Sequence, residues 1–578
     1  MFPSPIGPLR VVFGTPLRRK TRGMRRRMLA DAADCRTVQR RTLARILAAN
    51  ADSDWMRDRE LTAAIGPHQL SGAAAITTYD DYAGVVEQML TGRPQALLGS
   101  GQRPVMFALS SGTTGRSKHI PVTPAFLADY RRGWQAWGIG TFDAHRRLHT
   151  HNIFQIASSH RRGVSGDGVP CGNISGLVQT MQSPVVRQMY SVPQAALSVG
   201  DPIAKSYAAL RAGVADGRVA MAMAANPSTL LQLAELAQTR TEDLIRDLYD
   251  GTLSVAAELP RELRRPLSRR NRRRARVLDA LATRDGVLKP SGYWPHLSVL
   301  ACWTGGSCAA YLPRLRELYR TPGGEPIPIR DHGLSASEGR MTIPIDDETP
   351  SGLLDIASHF YEFLPIEAEG DDPDQTLEER RPLLAHELTV GESYFILLTT
   401  ASGLVRYDIH DVVRCTGFFG TTPLLEFLHK GAHIASLTGE KITESQVVAA
   451  VRTGCGAAVF TVAPEWCQSG DRADATAPDC RVPRYVLLIE APAEAAVDRI
   501  DRALRASNEE YDDKRASGRL GELVVRELPH GTFAALARKR QSGFGASAEQ
   551  YKHPFLMPAL DAIATLEALP LEGELVAR

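Results

Sequence analysis

The sequence predicts an α/β protein with a large N-terminal body and a smaller C-terminal α/β domain. Its 578 residues are 43% hydrophobic and 23% charged, which is ordinary for a globular chain and excludes wholesale disorder and collagen-like or coiled-coil architecture. Short apolar segments typical of strands alternate with segments whose apolar residues follow a helical period. A composition shift over 420–445 separates the two parts.

Charge and cysteine usage exclude several functional classes. The chain has 68 Lys+Arg against 65 Asp+Glu, a formal net charge of +3, which argues against a dedicated polyanion binder but leaves room for a local basic patch. The eight cysteines are scattered, with no Cys-x-x-Cys, as expected for free thiols in a reducing compartment and not for structural zinc. Because no apolar run approaches the roughly 18–20 residues of a membrane helix, we expect a cytoplasmic protein without a membrane partner.

Three segments are predicted. Residues 1–30 form a basic tail with eight Lys/Arg and no acid through Arg27. We expect this tail to be disordered, or the true start to be Met24 or Met28; an organelle import signal is disfavoured by scarce Ser and interrupting Pro and Gly. Residues 31–425 form the large domain and residues 426–578 the small one.

The elements follow in order. Helices are predicted over 36–61 and 79–90, from apolar residues on one stripe. Strands are predicted over 105–109 and 119–123, with a helix opening at Pro124. Residues 189–256 read as mostly helical, and 394–400 with 404–416 read as a hairpin around Ser402-Gly403. In the small domain, a helix near Thr443 precedes strands at 485–490 and 523–527, with a helix over 493–515 between them.

The loop after the first predicted strand is the best chemical signal. Small and hydroxyl side chains fill it and a lysine ends it: Ser110, Ser111, Gly112, Thr113, Thr114, Gly115, then Arg116, Ser117 and Lys118. Glycines let backbone N–H groups approach an anion, and a lysine adds a mobile positive charge. The spacing is not that of a P-loop. The alternatives at this point are a phosphate cradle and an ordinary polar hairpin turn.

Together with other segments, this loop resembles the auxin-responsive (Gretchen Hagen) acyl-acid amido synthetases of the adenylate-forming superfamily. The similarity runs from about Arg36 to Pro554. Segments in family order include Tyr79-Asp-Asp-Tyr82, Asp247–Ser254, Trp294-Pro295, Ser337-Glu338-Gly339, Arg406-Tyr407, Asp411-Val-Val413, Gly417-Phe418, Glu440-Lys441 and Gln550-Tyr-Lys-x-Pro554. The resemblance implies an adenylate-forming large domain with mixed sheets flanked by helices and a mobile small lid domain. It also implies ATP and Mg²⁺ as cofactors, a carboxylic acid substrate and an amine or amino acid acceptor.

Glu338 is the metal candidate. A carboxylate after a small-residue loop suits Mg²⁺, which takes one or two carboxylates and shares the phosphates; the alternative is a carboxylate that stabilises a helix N-terminus. The resemblance assigns Mg²⁺ to Glu338 and the nucleotide to Leu334, Ser335 and Ser337. Leu334 stands where the family usually has an aromatic residue against adenine.

Asp411 is the ribose candidate, because a carboxylate can accept hydrogen bonds from both ribose hydroxyls. The resemblance supports this role, and the alternative is a surface charge on a hairpin. Asp408 replaces an arginine of the family pattern, His410 replaces a glycine, and Lys430, a further nucleotide candidate, stands where arginine is usual.

Two lysines of the small domain complete the expected site. Adenylation needs positive charge near the α-phosphate and the leaving pyrophosphate, and the resemblance assigns this to Lys441 and Lys552 beside Lys118. The alternative for each is a solvated surface lysine. The acid pocket is expected in parts of 150–185 and 294–340.

Other signals are weaker. His145, His149 and His151 lack the partner ligands of a zinc site. The segment 261–276 holds nine arginines and one acid; it suggests nucleic-acid binding or, since no aromatic is interleaved, an exposed helix or loop.

From the resemblance we expect an acyl-acid amido synthetase, and a monomer. A thioester ligase that uses coenzyme A or a carrier is the alternative, followed by a nucleic-acid-binding protein.

Overall fold

A computed structural model gives the structure of the chain. It describes residues 6–110, 118–156, 163–182, 184–193, 196, 199, 201–257, 259, 261–365, 381–430, 434–454, 459–466, 482–490, 497–536, 539 and 554–569. These residues form two compact units. The first contains the described residues through Ser110 together with Lys118–His429, and the second contains those from Lys430 onward. The α/β class predicted from the sequence is confirmed.

Helices occur in both units. In chain order they are α1 (Ile6–Phe13), α2 (Thr15–Asp31), α3 (Cys35–Asn50), α4 (Asp54–Arg57), α5 (Leu70–Ala73), α6 (Tyr79–Leu90), α7 (Pro124–Ala144), α8 (Ile174–Thr180), α9 (Pro184–Arg187), α10 (Pro202–Ala215), α11 (Pro227–Thr239), α12 (Thr241–Asp250), α13 (Arg261–Leu267), α14 (Arg272–Asp285), α15 (Pro290–Tyr293), α16 (Leu312–Leu318), α17 (Glu444–Gly454), α18 (Val497–Ser507), α19 (Glu509–Ala516) and α20 (Ala562–Glu567).

The strands are mostly short. In chain order they are β1 (Met106–Ser110), β2 (Lys118–Val122), β3 (Asn152–Gln155), β4 (Gly163–Val164), β5 (Pro170–Gly172), β6 (Val219–Met223), β7 (Val299–Ala301), β8 (Ile329–Arg330), β9 (Ser335–Ala336), β10 (Gly339–Arg340), β11 (Thr342–Ile343), β12 (Gly352–Leu354), β13 (Phe360–Pro365), β14 (Leu383–Leu384), β15 (Ser393–Thr399), β16 (Tyr407–Phe419), β17 (Thr422–Lys430), β18 (Ile434–Ala435), β19 (Ile442–Thr443), β20 (Thr461–Glu465), β21 (Arg484–Ile489) and β22 (Val524–Glu527).

The first unit is built around three sheets and a hairpin. A seven-stranded sheet has the order β11-β12-β17-β16-β15-β13-β14, and a four-stranded sheet has the order β2-β1-β5-β4. A third sheet, β3-β6-β7-β8, is parallel. Its strands are nearly all apolar, as expected for a parallel sheet buried on both faces. Strands β9 and β10 form a separate hairpin.

Local capping chemistry starts the helices next to the site. The backbone N–H of Thr78 donates to Asp81 Oδ2 over 2.7 Å, part of a capping box that begins α6. Pro124 occupies the first turn of α7, and Thr123 Oγ1 accepts from Phe126 N over 3.1 Å. Both starts agree with the sequence-based prediction.

The second unit is a smaller α/β assembly. Strands β20 and β21 are antiparallel, and β22 joins β21 in parallel. Helices α17 and α18 supply apolar side chains such as Val447, Val451, Ile500 and Leu504 to its core. The helix expected over 493–515 appears as α18 and α19, which Asn508 separates by capping the second: its Oδ1 accepts from Tyr511 N over 2.9 Å.

Two segments differ from expectation. The basic residues 1–30, expected as a disordered tail, are helical over Ile6–Phe13 and Thr15–Asp31. Local sequence patterns do not predict this helix, because α2 is held by the packing of Met24 and Met28 against side chains of α7, more than 100 residues later. The mostly helical stretch 189–256 also contains the buried strand β6.

A buried ion pair joins the seven-stranded sheet to the segment before α6. Arg406 Nε donates to Glu362 Oε2 over 3.0 Å, and the two side chains are only 5% and 2% exposed. Arg406 Nη1 also donates to the carbonyl of Ala74 over 2.6 Å. Burial raises the pKa of Glu362, and the charge of Arg406 opposes that rise.

Removing one charge of this pair should destabilise the first unit strongly. We expect Glu362→Gln to lower the free energy of unfolding by about 3 kcal/mol or more, because the Arg406 charge stays buried without a counter-charge. Urea unfolding followed by tryptophan fluorescence measures this. Glu426→Gln is the matched control, since its partner Arg414 is 44% exposed and such pairs contribute less than about 1 kcal/mol. Equal losses in the two variants would contradict a special role for the buried pair.

Candidate active site

Strands β1 and β2 carry both ends of the expected phosphate loop. They pair antiparallel, with Ser110 opposite Lys118. The intervening candidates Ser111, Gly112, Thr113, Thr114 and Gly115 lie outside the described residues. Lys118 therefore stands at the first position of β2, directly across the sheet from the residue that opens the loop.

Tyr79, at the start of α6, holds this end of the β1–β2 pair. Its hydroxyl accepts from the backbone N–H of His119 over 2.9 Å. The ammonium of Lys118 lies 5.5 Å from the centroid of the Tyr79 ring, which is within cation–π range. The first turn of α6 thus fixes the strand that presents Lys118.

The hairpin β9–β10 carries Glu338. Ala336 pairs with Gly339 and Ser335 with Arg340, so that Ser337 and Glu338 form a two-residue turn. The hydroxyl of Ser337 donates to the carbonyl of Leu109 over 3.2 Å. Glu338 is 7% exposed. The turn therefore places a buried carboxylate beside the end of β1.

Leu334 opens this hairpin. Its backbone N–H donates to Thr342 Oγ1 over 2.8 Å, and its carbonyl accepts from Met341 N over 2.9 Å. Its side chain is half-buried against the main apolar core of the first unit. The aliphatic residue is therefore packed in place where the family pattern has an aromatic one.

Asp411 lies on an irregularity of β16. Leu397 pairs with Asp408 and Phe395 with Val412, so three residues of β16 stand opposite the single Ile396 of β15. Such bulges commonly re-aim a side chain next to an active site. Asp411 is the last residue of this bulge and is 3% exposed.

The two departures from the family pattern compensate each other at this bulge. His410 has φ of +57°, the left-handed region that suits the glycine of the family pattern. Asp408 Oδ1 accepts from the backbone N–H of His410 over 2.6 Å, and His410 Nδ1 lies 2.9 Å from Asp408 Oδ2. Short-range bonding of this kind stabilises the conformation in a residue other than glycine.

The carboxylate of Glu338 influences the pKa of Tyr407, the first residue of β16. Burial raises the pKa of Tyr407, and the charge of Glu338 raises it further. Burial also raises the pKa of Tyr79, with a smaller contribution from Glu338. The hydroxyl of Tyr407 is buried and has no hydrogen-bond partner among the described residues. Together with the contacts of Tyr79 and Ser337 at this end of β1 and β2, these effects place Lys118, Tyr79, Glu338 and Tyr407 in one cluster within the first unit.

The second unit holds Lys441 in a fixed turn. Lys441 has φ of +49°. The fully buried carboxylate of the preceding Glu440 accepts from Leu437 N over 2.6 Å and from Thr438 N over 2.7 Å, and it bonds the hydroxyl of Tyr485. Lys430 is the last residue of β17, and Lys552 lies outside the described residues.

An aromatic cluster adjoins the Glu338 hairpin. Trp134, Trp137 and His332 make mutual edge-on contacts with ring centroids 5.4–5.5 Å apart. Trp303 Nε1 donates to the carbonyl of Gly333 over 3.0 Å. The guanidinium of Arg340 lies 4.2 Å from the Trp134 ring centroid. Burial first, and the charge of Arg340 second, lower the pKa of His332 to about 3, so His332 is neutral at physiological pH.

Sequence reasoning missed several of these residues. The sequence predicts no role for Tyr79, Tyr407 and Glu440 beyond their place in the family pattern, and the expected acid pocket does not include α7, which supplies Trp134. Their contacts join positions 40 or more residues apart, as in Tyr79–His119 and Glu440–Tyr485. Local periodicity carries no signal for such contacts.

The donors present are compatible with magnesium held largely by a nucleotide. Among the described residues, no group of three or more His, Cys, Asp and Glu side chains is arranged to hold a metal ion. Glu338 alone offers a carboxylate at the hairpin turn, and Mg²⁺ commonly uses one or two protein carboxylates together with phosphates and water.

None of the described helices has both the length and the apolar character needed to cross a bilayer.

Comparison with known proteins agrees with this arrangement. Three family models match the chain: the GH3 family N-terminal domain over 24–322, the GH3 family central domain over 352–430 and the GH3 family C-terminal domain over 459–560. Indole-3-acetic acid-amido synthetase GH3.10 of Arabidopsis thaliana is 23% identical, covering 89% of this chain and 92% of its own. Probable indole-3-acetic acid-amido synthetase GH3.12 of Oryza sativa subsp. japonica is 26% identical, covering 91% and 92%.

Solved structures give the same fold. The structure of AtGH3.15 acyl acid amido synthetase in complex with 2,4-DB superposes with a TM-score of 0.61 at 20% identity, covering 94% of this chain and 95% of that one. The fold is therefore that of the acyl acid amido synthetases. With three matched domains spanning most of its length, the chain belongs to the GH3 family.

The glycine after Glu338 should be essential to the hairpin turn. A Cβ on Gly339 would lie 2.2 Å from Nε2 of the buried His359 ring. We expect Gly339→Ala to destabilise the first unit by about 1–3 kcal/mol, because the packed ring cannot move aside freely. Thermal unfolding measures the effect. Gly84→Ala on the open face of α6 is the control, since a Cβ there meets nothing within 4 Å, and it should be neutral or stabilising. A Gly339→Ala variant as stable as Gly84→Ala would contradict this account of the turn.

Proposed function

We propose that this protein is an ATP-dependent acyl-acid amido synthetase that activates a carboxylic acid as an acyl-adenylate and transfers the acyl group to an amine, normally that of an amino acid. The cluster of Lys118, Tyr79, Glu338 and Tyr407 carries the proposal, because it gathers a cation, a buried carboxylate and a buried hydroxyl in one place. Relatives along nearly the whole chain are named indole-3-acetic acid-amido synthetases and jasmonoyl-L-amino acid synthetases.

The proposed reaction has two steps. A carboxylate oxygen of the acid attacks the α-phosphorus of ATP, and the bond from that phosphorus to the bridging oxygen breaks, which releases pyrophosphate. The nitrogen of the amine then attacks the acyl carbon, the bond to the AMP oxygen breaks, and the nitrogen loses a proton. The products are an amide and AMP.

Each site residue receives a role from its position and from the family pattern. We propose that Ser110, with Ser111–Gly115, binds the phosphates and that Lys118 balances their charge. Asp411 binds the ribose, and the segment that contains Leu334, Ser335 and Ser337 faces the adenine. The fixed backbone that Tyr79 and the bulge of β16 give to these groups supports the assignment, because preorganised donors stabilise developing charge most effectively.

Magnesium fits the same cluster. We propose that Glu338 holds the ion, which when bound neutralises phosphate charge during transfer. From the second unit, Lys441 and Lys552 supply positive charge to the reacting phosphates, and Lys430 assists nucleotide binding. The turn that Glu440 fixes before Lys441 supports this assignment.

We also propose that the organic group of the acid packs against the aromatic cluster. Trp134 and Trp303 are only partly buried, and Trp303 is bonded to the residue that precedes Leu334. A neutral His332 and aromatic walls favour an acid with an apolar or aromatic body.

The plant relatives named above do not support the bacterial source that an Ala- and Arg-rich composition suggests.

Loss of either key charge should slow adenylation. We expect Glu338→Ala or Lys441→Ala to lower carboxylate-dependent ATP–pyrophosphate exchange by ~10²-fold or more, the scale of one preorganised electrostatic group. The exchange is first measured over a panel of carboxylic acids to find one that wild type activates. Glu325→Ala and Lys289→Ala are controls on exposed residues. Exchange near the wild-type rate in Glu338→Ala or Lys441→Ala would reject the role of that residue.

The identity of the acyl acceptor distinguishes an amide-forming enzyme from a thioester-forming one. Given an activated acid, amino acids and a thiol such as coenzyme A are offered together, and the products are weighed. We expect an amide whose mass equals the acid plus the amino acid less one water, because the family relatives are named for amino acid conjugation. A thioester as the main product would assign the chain to the acyl-thioester ligases.

A further inference from the structure

The N-terminal helices present an exposed surface that is both basic and apolar. It comprises the exposed side chains at the end of α1 and along α2, and we call it the N-terminal surface. Its exposed residues are Val12, Phe13, Leu17, Arg19, Lys20, Arg22, Arg26 and Arg27. The activity proposed above makes no use of these residues.

This surface belongs to the folded first unit. Met24 and Met28, which follow Leu17 on the same helical stripe of α2 by seven and eleven residues, pack against a core cluster that contains Trp137 of α7. Arg22 pairs with Asp143 at the end of α7. A Cβ on Gly140 would lie 3.0 Å from Nε of Arg25, so α7 leaves room for that arginine. The orientation of α2 is therefore fixed, and Arg19 and Arg26, on the side away from Met24 and Met28, are exposed.

Positive charge dominates the surface. The sequence of α2 contains seven Lys/Arg, and its single acid, Asp31, is its last residue. Arg19, Arg22, Arg25 and Arg26 line a groove of about 500 Å³ whose acidic side chain is Asp143. Such a groove matches the chemistry of phosphate groups.

The positive charge extends onto the turn after α7. Arg146 and Arg147 of that turn are exposed. The basic area is therefore wider than α2 alone.

Apolar side chains border these cations. Val12, Phe13 and Leu17 are 66%, 71% and 43% exposed. Phe13 and Leu17 are four residues apart at the junction of α1 and α2, close enough to share one side of the chain if the helical path continues. Large apolar side chains grouped at a solvent-exposed edge are a common sign of an interaction surface.

We propose that the N-terminal surface binds the anionic face of a lipid bilayer, with headgroup phosphates in the arginine groove and Phe13 and Leu17 in the headgroup region. Basic side chains next to exposed apolar ones characterise helices that lie on membranes. Nucleic acid would match the cations but leave the aliphatic and aromatic side chains in water. A protein partner would match the apolar group, but only an acidic one would also match the exposed cations.

This inference is independent of the proposed activity. The matched GH3 N-terminal model begins at residue 24, so Phe13, Leu17, Arg19, Lys20 and Arg22 precede the matched segment. The expectation of no membrane partner rested on the lack of a spanning segment, whereas a surface contact needs none.

Vesicle co-sedimentation of the full chain tests the proposal. Phosphatidylcholine vesicles with about 30% phosphatidylserine are compared with pure phosphatidylcholine vesicles at about 0.1 M and 0.5 M salt. We expect binding to the anionic vesicles at low salt, a fall of several-fold at high salt, and little binding to the neutral ones. Equal binding to both vesicle types, or none to either, would overturn the proposal.

Two variants separate the surface from net charge. The first combines Arg19→Gln, Lys20→Gln, Arg26→Gln and Arg27→Gln. Its matched control combines Arg265→Gln, Arg269→Gln, Arg273→Gln and Arg276→Gln, which removes the same charge from exposed positions in and beside α13 and α14. We expect at least a tenfold loss of vesicle binding in the first, since each cation near the membrane contributes roughly fivefold, and no loss in the control. Equal losses would show that net charge alone is responsible and would overturn the proposal.

A third variant tests the apolar contribution. Phe13→Ser with Leu17→Ser keeps every charge, and we expect it to weaken vesicle binding several-fold. Circular dichroism melting of all variants confirms that they remain folded. A duplex DNA arm is run in parallel: binding to DNA without binding to anionic vesicles would make the surface a nucleic-acid site and refute the membrane proposal.

Discussion

The candidate site depends on the short segment that leads into α6. The backbone N–H of Thr77 donates to the carbonyl of Arg406 over 3.0 Å, and Asp408 N donates to the carbonyl of Thr77 over 2.8 Å. Tyr79, two residues later, accepts from the backbone of His119. Three residues therefore connect the strand that begins with Lys118 to the strand that carries Asp411. Because an unpaired buried backbone group costs about 1–3 kcal/mol, this connection tolerates little displacement.

Buried charge is the second constraint. Glu338 reaches its place because Gly339 leaves no side chain to meet His359, and Arg406 is balanced by Glu362. The bulge of β16 keeps Asp411 buried although His410 replaces a glycine, because Asp408 bonds the backbone of His410. Asp408 and His410, which both depart from the family pattern, thus bond to each other in the structure, and the Asp411 carboxylate keeps its buried position.

The sequence predicted the helix boundaries that are set by nearby capping residues. The boundaries of α6 agree with the predicted helix over 79–90, because its capping box lies within four residues of its start. The start of α7 at Pro124 was predicted for the same kind of reason. The helical form of α2 was not predicted, since it depends on packing against α7.

The roles of several site residues could not be predicted from the sequence alone. The resemblance identified Glu338 and Asp411, but Tyr79 acquires its role only through His119, and Trp134 only through Arg340 and His332. Each of these contacts joins distant parts of the chain, and a single sequence has no periodicity that reports them.

Direct binding of ATP tests most sharply whether the groups around Tyr79 form a nucleotide site. Equilibrium dialysis compares wild type with Asp411→Asn and Glu338→Gln, and with Asp250→Asn on the exposed end of α12 as control. The account predicts that Asp411→Asn weakens ATP binding about tenfold or more with or without Mg²⁺, as expected for the loss of hydrogen bonds to a charged group. It predicts that Glu338→Gln weakens binding only when Mg²⁺ is present, and that Asp250→Asn binds like wild type. Unchanged ATP affinity in both Asp411→Asn and Glu338→Gln would contradict the account.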